Sequence, residues 1–214
     1  KGFLEKVPAL KGDSSILSNS VKDNVKLLME YTESSSSAPK ELISKKDSFF
    51  ATAELLKGLT PEAVALIARA RANNIPTVLV TNQSGIGRGY YSWKNFAEVQ
   101  QAVIAAVHAG GGKIDAVYAC PALPGTGAPC RKPSPGMLLA AAEDLALDLE
   151  RSWMVGDAAS DLAAASNAGL RHGWLVATGY GTGDRADALS LSGPGFDVTV
   201  DRPLSELAEL LSGL

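Results

Sequence analysis

Three short segments carry the side chains best suited to handling a charged ligand. The first is Thr81-Asn82-Gln83-Ser84-Gly85-Ile86-Gly87-Arg88-Gly89. The second is Cys130-Arg131-Lys132-Pro133-Ser134-Pro135-Gly136-Met137, and the third is Val155-Gly156-Asp157-Ala158-Ala159-Ser160-Asp161. Thr81 offers a hydroxyl, Lys132 an ammonium, and Asp157 and Asp161 two carboxylates. A hydroxyl and an ammonium, helped by nearby backbone N–H groups, suit a phosphate-bearing ligand. Taken singly the segments say little. A Thr after a strand is commonplace, and a Lys before Pro is usually a solvated loop residue. An Asp at a strand–helix junction caps the helix, and Lys132 has Asp157 as an expected ion-pair partner.

The elements around these segments alternate. Thr60-Pro61-Glu62 starts a helix with a cap, a Pro at the first helical position and an acid in the first turn. Val64, Ile67 and Ala68 continue it at helical spacing, and Asn73-Asn74 closes it. Pro76 to Thr81 is a buried strand by composition. Ser92 caps a second helix with Phe96, Val99, Val103 and Val107 inward, stopped at Gly110-Gly111-Gly112. Ala116 to Ala119 and Trp153 to Gly156 read as strands, as do Trp174 to Ala177 and Phe196 to Val200. Helices are expected from Pro135 to about Leu147, from Asp161 to Ala168 and from Pro203 to Leu211. Such alternation argues for a parallel sheet covered on both faces, whose ligands bind at the carboxyl ends of the strands. All three segments fall at or near those ends.

Residues 1–46 have a different character, rich in lysine and poor in aromatics. Val21, Val25, Leu28 and Met29 suggest one amphipathic helix over Asn19–Glu33, followed by the low-complexity link Ser34–Pro39. The expected organisation is therefore an extension over 1–46 and an α/β domain over 47–214. The 214 residues are 46% hydrophobic and 20% charged, with a net charge of −3. That balance shows no electrostatic footprint for nucleic acid, and no apolar stretch is long enough to span a membrane. The two cysteines, Cys120 and Cys130, exclude a four-thiolate zinc site. His108 at a helix end and His172 in a loop read as surface or capping residues. Gly85, Gly87 and Gly89 do not have the spacing of a dinucleotide fingerprint. Trp93, Trp153 and Trp174 read as core or interface anchors.

In order and at this spacing, TNQSGIGRG, CRKPSPGM and GDAASD resemble the second, third and fourth motifs of the haloacid dehalogenase (HAD) superfamily. They are particularly similar to its heptose-bisphosphate and histidinol-phosphate phosphatase branch. The resemblance covers about Asp47 to Leu214. It implies a HAD-like, Rossmannoid three-layer sandwich with a central parallel sheet, the strand through Phe49-Phe50-Ala51 being central. It also implies a phosphoryl group attacked by a carboxylate, a second Asp as general acid and base, and Mg²⁺ between carboxylates and phosphate. By this resemblance Thr81, Asn82 and Lys132 are phosphate-binding positions, and Asp157 and Asp161 are the metal-side acids.

The first motif departs from the pattern. Counting back from Thr81 reaches Phe49-Phe50-Ala51-Thr52-Ala53-Glu54-Leu55. Ala51 then stands at the nucleophile and Ala53 at the acid/base, and a methyl group neither attacks phosphorus nor moves a proton. Glu54 is one position from the second Asp, which on a strand faces the other way. The zinc loop of the phosphatase branch is also thinned: between Cys120 and Cys130 there is no His, and two thiols do not make a structural zinc site. Two free thiols beside a Pro/Gly-rich loop are expected there, a disulfide between them being the alternative. Gly179-Tyr180-Gly181-Thr182-Gly183-Asp184-Arg185 reads as a flexible rim or a former substrate loop.

The expected function is accordingly a catalytically inactive HAD-fold protein, without cofactor, serving as an accessory subunit of a larger assembly. Its protein partners would be met through residues 1–46. The alternatives are a Mg²⁺-dependent sugar-phosphate phosphatase and a module that binds a phosphorylated metabolite without hydrolysing it. The start at Lys1 rather than Met fits either a fragment or a removed leader, the second implying a mitochondrion or plastid. The double change Ala51→Asp and Ala53→Asp tests the register. A gain of Mg²⁺ binding by calorimetry supports the alignment, and a folded variant with no gain counts against it.

Overall fold

The computed structural model describes residues 60–177 and 182–211. The helix expected over Asn19–Glu33, the extension 1–46, the strand through Phe49-Phe50-Ala51 with Ala53 and Glu54, and Gly179-Tyr180-Gly181 lie outside them.

The described elements follow the expected alternation. Helix α1 (Pro61–Ala72) opens at Thr60, whose hydroxyl accepts from the Ala63 N–H at 3.2 Å. Strand β1 (Val78–Asn82) leads through a single turn, α2 (Ser84–Gly87), to α3 (Trp93–Ala109). A capping box at α3 pairs Ser92 with Asn95. Then come β2 (Ala116–Cys120), α4 (Gly136–Leu145), β3 (Trp153–Gly156), α5 (Ala159–Ala168) and β4 (His172–Leu175). The chain ends with α6 (Arg185–Ser190), β5 (Asp197–Thr199) and α7 (Leu204–Leu210). Among the described residues the strands form a two-stranded piece, β1–β2, and a three-stranded parallel piece in the order β3-β4-β5. The fold is α/β, as the alternation requires.

Two compact units are present. One gathers residues 60–79, Ser84–Val117 and 204–211. In it α1 packs on α7 and α3. Arg71 donates to the carbonyls of Gly111 and Gly112, while the Asp115 N–H donates to the Thr77 carbonyl at 2.8 Å. Gly112 is required here by space. A Cβ would lie 2.7 Å from a Val107 methyl and 2.9 Å from an Ile67 methyl.

The other unit is Val80–Gln83 with Tyr118–Pro203. Its core is the apolar face of α5, with Leu162, Ala164 and Ala165 fully buried. These pack with Met154 of β3, Leu175 of β4, Leu138, Ala188 and Phe196. Gly173 on β4 lets the Phe196 ring and Leu162 approach: a Cβ would meet them at 2.8 and 3.0 Å. Trp174 is buried and donates from Nε1 to the Arg202 carbonyl. His172 is not in a loop. It opens β4 and stacks on Trp153 with 4.3 Å between centroids, because β3 and β4 place these two residues side by side. Among the described residues no helix is long and apolar enough to cross a membrane.

Tyr118 on β2 is buried, and its hydroxyl donates to Asp144 Oδ2 on α4 at 2.8 Å. Burial first, then the hydrogen bond to Asp144 and its charge, hold the phenol well above its ordinary 10.0. The folded state thus favours the neutral phenol. Its contribution is complete below the unfolded value and is lost as pH rises through the folded one. Tyr118→Phe is expected to lower stability near neutrality by about 1 kcal/mol. It should also flatten the alkaline fall in stability between about pH 9 and pH 11, measured by urea unfolding.

Candidate functional site

Thr81, Asn82, Lys132, Asp157 and Asp161 all belong to the second unit, and an ion pair organises them. Lys132 Nζ lies 2.7 Å from Asp161 Oδ1, with both side chains 9% exposed. The same ammonium donates to the Val80 carbonyl at 2.8 Å, so Lys132 is pinned between strand β1 and the start of α5. An ammonium has three N–H donors. Two are satisfied by the protein among the described residues, leaving the third for a ligand.

Asn82, the last residue of β1, holds the main chain of Lys132 from both sides. Its Nδ2 donates to the Lys132 carbonyl and its Oδ1 accepts the Lys132 N–H, each at 3.1 Å. The amide therefore steadies the Lys132 main chain with one of its two N–H donors and its oxygen. Thr81 Oγ1 accepts from Gln83 Nε2 at 2.9 Å, which orients the hydroxyl and keeps its own proton available to donate.

Asp161 does two jobs. While Oδ1 meets Lys132, Oδ2 accepts the N–H groups of Asp157 and Ala158 at 3.2 and 3.3 Å. It thereby fixes the turn between β3 and α5 and satisfies donors that the helix start would otherwise leave unpaired. Gly156 makes room for this, since a Cβ would stand 2.6 Å from Asp161 Oδ2. Lys132 thus pairs with Asp161, not with Asp157 as expected. The reason is reach: Asp161 sits one helical turn further along, with its side chain turned back over the β3–α5 turn. Asp157 is half-buried, and its carboxylate has no ion pair or hydrogen bond among the described residues.

Asp184 was not foreseen as a contributor. Its Oδ2 accepts the Ala159 N–H at 2.9 Å and caps α5 from a distant part of the chain. Arg185 beside it pairs with Asp201, which holds the Arg185 guanidinium above its usual range through the hydrogen bond first and the charge second. This end of the expected flexible rim is consequently tied down. An Asp following Thr182-Gly183 was the available signal, but nothing local links it to α5.

Cys120 and Cys130 are joined in a disulfide, correcting the expectation of two free thiols. Cys120 closes β2 and is fully buried, and the following loop folds back to bring the Cα atoms within 5.6 Å, a span a disulfide bridges readily. Among the described residues no group of three or more His, Cys, Asp or Glu side chains could hold a metal ion. Mg²⁺ is commonly held by one or two carboxylates together with phosphate oxygens and water. Asp157 fits that limited role, while both oxygens of Asp161 are already engaged.

The two acids should separate in a stability measurement. Asp161→Ala strands the Lys132 ammonium and is expected to cost roughly 3–5 kcal/mol. Asp157→Ala should change stability by no more than about 0.5 kcal/mol. Urea unfolding of both variants checks the contrast.

Comparison with known proteins identifies the family. A family model described as HAD-hydrolase-like matches residues 129–201. The D-glycero-beta-D-manno-heptose-1,7-bisphosphate 7-phosphatase of Mesorhizobium japonicum is 41% identical over 165 residues, covering 73% of this chain and 70% of that protein. The enzyme of the same name from Helicobacter pylori is 35% identical over 138 residues, 64% of this chain and 75% of its own length. The solved D,D-heptose 1,7-bisphosphate phosphatase from B. bronchiseptica, complexed with magnesium and phosphate, superposes with a TM-score of 0.64 at 35% identity. That match covers 72% of this chain and 83% of that one. These relatives overturn the expectation of an inactive accessory subunit without cofactor. That reading rested on Ala51 and Ala53, which lie outside the described residues, whereas the similarity over most of the chain is to named phosphatases, one of them solved with magnesium. The chain belongs to the heptose-bisphosphate phosphatase branch of the HAD superfamily.

Proposed function

We propose that this protein is a Mg²⁺-dependent phosphatase of sugar phosphates, with the 7-phosphate of a heptose 1,7-bisphosphate as its substrate group. The observation that carries the reading is the Lys132 ammonium, anchored by Asp161 and the Val80 carbonyl, with one donor left over among the described residues. An ammonium held this way is a rigid anion ligand beside a strand end. Its fixed position means little reorganisation is needed as charge grows on the phosphoryl oxygens. The Thr81 hydroxyl, oriented by Gln83, supplies a second donor. Asp157 is the carboxylate left to hold Mg²⁺, which when bound would neutralise charge between carboxylates and phosphate.

The chemistry is displacement of the sugar oxygen from phosphorus by a carboxylate, with a proton delivered to that oxygen. Water then cleaves the acyl phosphate and releases inorganic phosphate, regenerating the carboxylate. The register counted from Thr81 sets Ala51 and Ala53 at the two acid positions. Turnover therefore requires another carboxylate, from a different register of residues 1–59 or from a second chain.

Phosphate release from heptose 1,7-bisphosphate and a panel of sugar phosphates, with Mg²⁺ and with a chelator, tests the proposal. Magnesium-dependent release is expected. Lys132→Ala and Asp157→Asn should each lower kcat/KM by roughly 100-fold or more, the scale of losing one transition-state charge contact. No release from any substrate by the folded wild-type protein overturns the reading.

A further inference from the structure

The disulfide lies two residues from Lys132, and no part of the proposed chemistry uses it. It closes a ring whose intervening residues are Pro121 to Pro129, containing Pro124 and the positive-φ glycines Gly125 and Gly127. Most of this loop is exposed. Its hydrogen bonds, among the described residues, are largely internal. Thr126 bonds to the Leu123 carbonyl, the Arg131 N–H to the Ala128 carbonyl, and Arg131 Nη1 to the Ala122 carbonyl at 2.9 Å. One further bond runs from the Gly136 N–H to the Pro129 carbonyl at 3.0 Å. The covalent link to buried Cys120, beside the Arg131–Ala122 hydrogen bond, thus ties the far end of the loop back to the end of β2. The end of β2 is itself joined to the end of β1: the Cys120 carbonyl accepts the Gln83 N–H at 2.7 Å. Cys130, Arg131 and Lys132 therefore descend directly from a point fixed to the strand end that carries Thr81 and Asn82.

We propose that the Cys120–Cys130 disulfide is a thiol-controlled tether on the Lys132 seat, so that a dithiol reductant loosens residues 130–132 and weakens the hold on phosphate. The phosphate part of this inference rests on the function proposed above. The tether itself does not. Cys130 is partly exposed whereas Cys120 is buried, so the reductant's thiolate attacks Cys130 Sγ. The disulfide bond breaks, Cys120 leaves as a thiolate and takes up a proton, and a mixed disulfide forms on Cys130. The reductant's second thiol then attacks that mixed disulfide and releases Cys130 as a thiol. Two electrons and two protons pass to the protein, and the reductant departs as its own disulfide. With the tether gone, Lys132 keeps its bonds to Asn82, Val80 and Asp161, but the segment leading into it is held only by the loop's hydrogen bonds.

The purified full chain, oxidised and after dithiothreitol, provides the test. Thiols are counted by maleimide labelling and mass spectrometry, and amide exchange at Arg131 and Lys132 is followed with and without inorganic phosphate. No reactive thiol before and two after reduction is expected. Exchange at Lys132, whose N–H donates to Asn82, should quicken, and its protection by inorganic phosphate should fall. Where turnover is present, kcat should drop by roughly tenfold, within the range a small misplacement of a catalytic group costs. The Cys120→Ser, Cys130→Ser double variant should match the reduced protein and ignore dithiothreitol. Two reactive thiols in air-oxidised protein, or identical exchange and phosphate protection in both redox states, overturns the inference. No turnover in either state, with the exchange difference intact, overturns the phosphatase reading and upholds the tether.

Discussion

A buried ammonium is tolerated only where its charge is matched, and Lys132 meets that condition through Asp161 and the Val80 carbonyl. Much of the second unit follows from this requirement. Asp161 must stand at the start of α5, so the chain needs a glycine at position 156 to let its carboxylate turn back over the strand end. The main chain at Lys132 must be held still, which Asn82 achieves with both ends of one amide. The apolar face of α5 is buried by Leu162, Ala164 and Ala165 against β3 and β4. The helix that carries the counter-charge is thereby fixed by the core. Charge matching and core packing are in this sense one design: loss of either would leave an ammonium without its partner.

Much of this was readable from residue types. Thr60-Pro61-Glu62, Ser92 and Gly110-Gly111-Gly112 marked helix ends within a residue or two, because caps and terminators act through local hydrogen bonds. The strand from Trp153 to Gly156 fell where its apolar composition put it. Strand β4 started two residues earlier than expected, at His172, since pairing with β3 recruits a polar residue that composition alone would leave in a loop. The short helix α6 was missed, as it is only six residues long and has no side-chain cap of its own.

Within the site, Thr81, Asn82, Lys132, Asp157 and Asp161 were legible as a set, but their partnerships were not. Asp157 and Asp161 look equivalent in sequence. Only the turn between β3 and α5 gives one of them the lysine and, among the described residues, leaves the other's carboxylate without a partner. Asn82 read as a phosphate-binding position through the resemblance of TNQSGIGRG to the family's second motif. Its partner within the protein is 50 residues away. Asp184 reaches Ala159 across 25 residues. The disulfide was weighed against free thiols without knowledge of how the Pro/Gly-rich loop turns. Long-range pairings of this kind are decided by topology, on which residue type is silent. The inactive reading failed because it weighted two positions, Ala51 and Ala53, above the similarity of the remainder to named phosphatases.

The reach of these pairings also bears on the order in which the molecule assembles. Val80 and Asn82 contact Lys132 over separations of 52 and 50 residues. Each closure of that kind carries a loop entropy that local helices do not. The caps of α1 and α3 are formed by residues three apart, so these helices form from local information. The lysine seat needs the chain through Asp161, and the Asp184 cap needs still more. On a ribosome emitting the chain from its amino end, the helices around β1 are available well before the anion site. That site closes later than those helices, while the packing of α1 on α7 waits for the chain through Leu210.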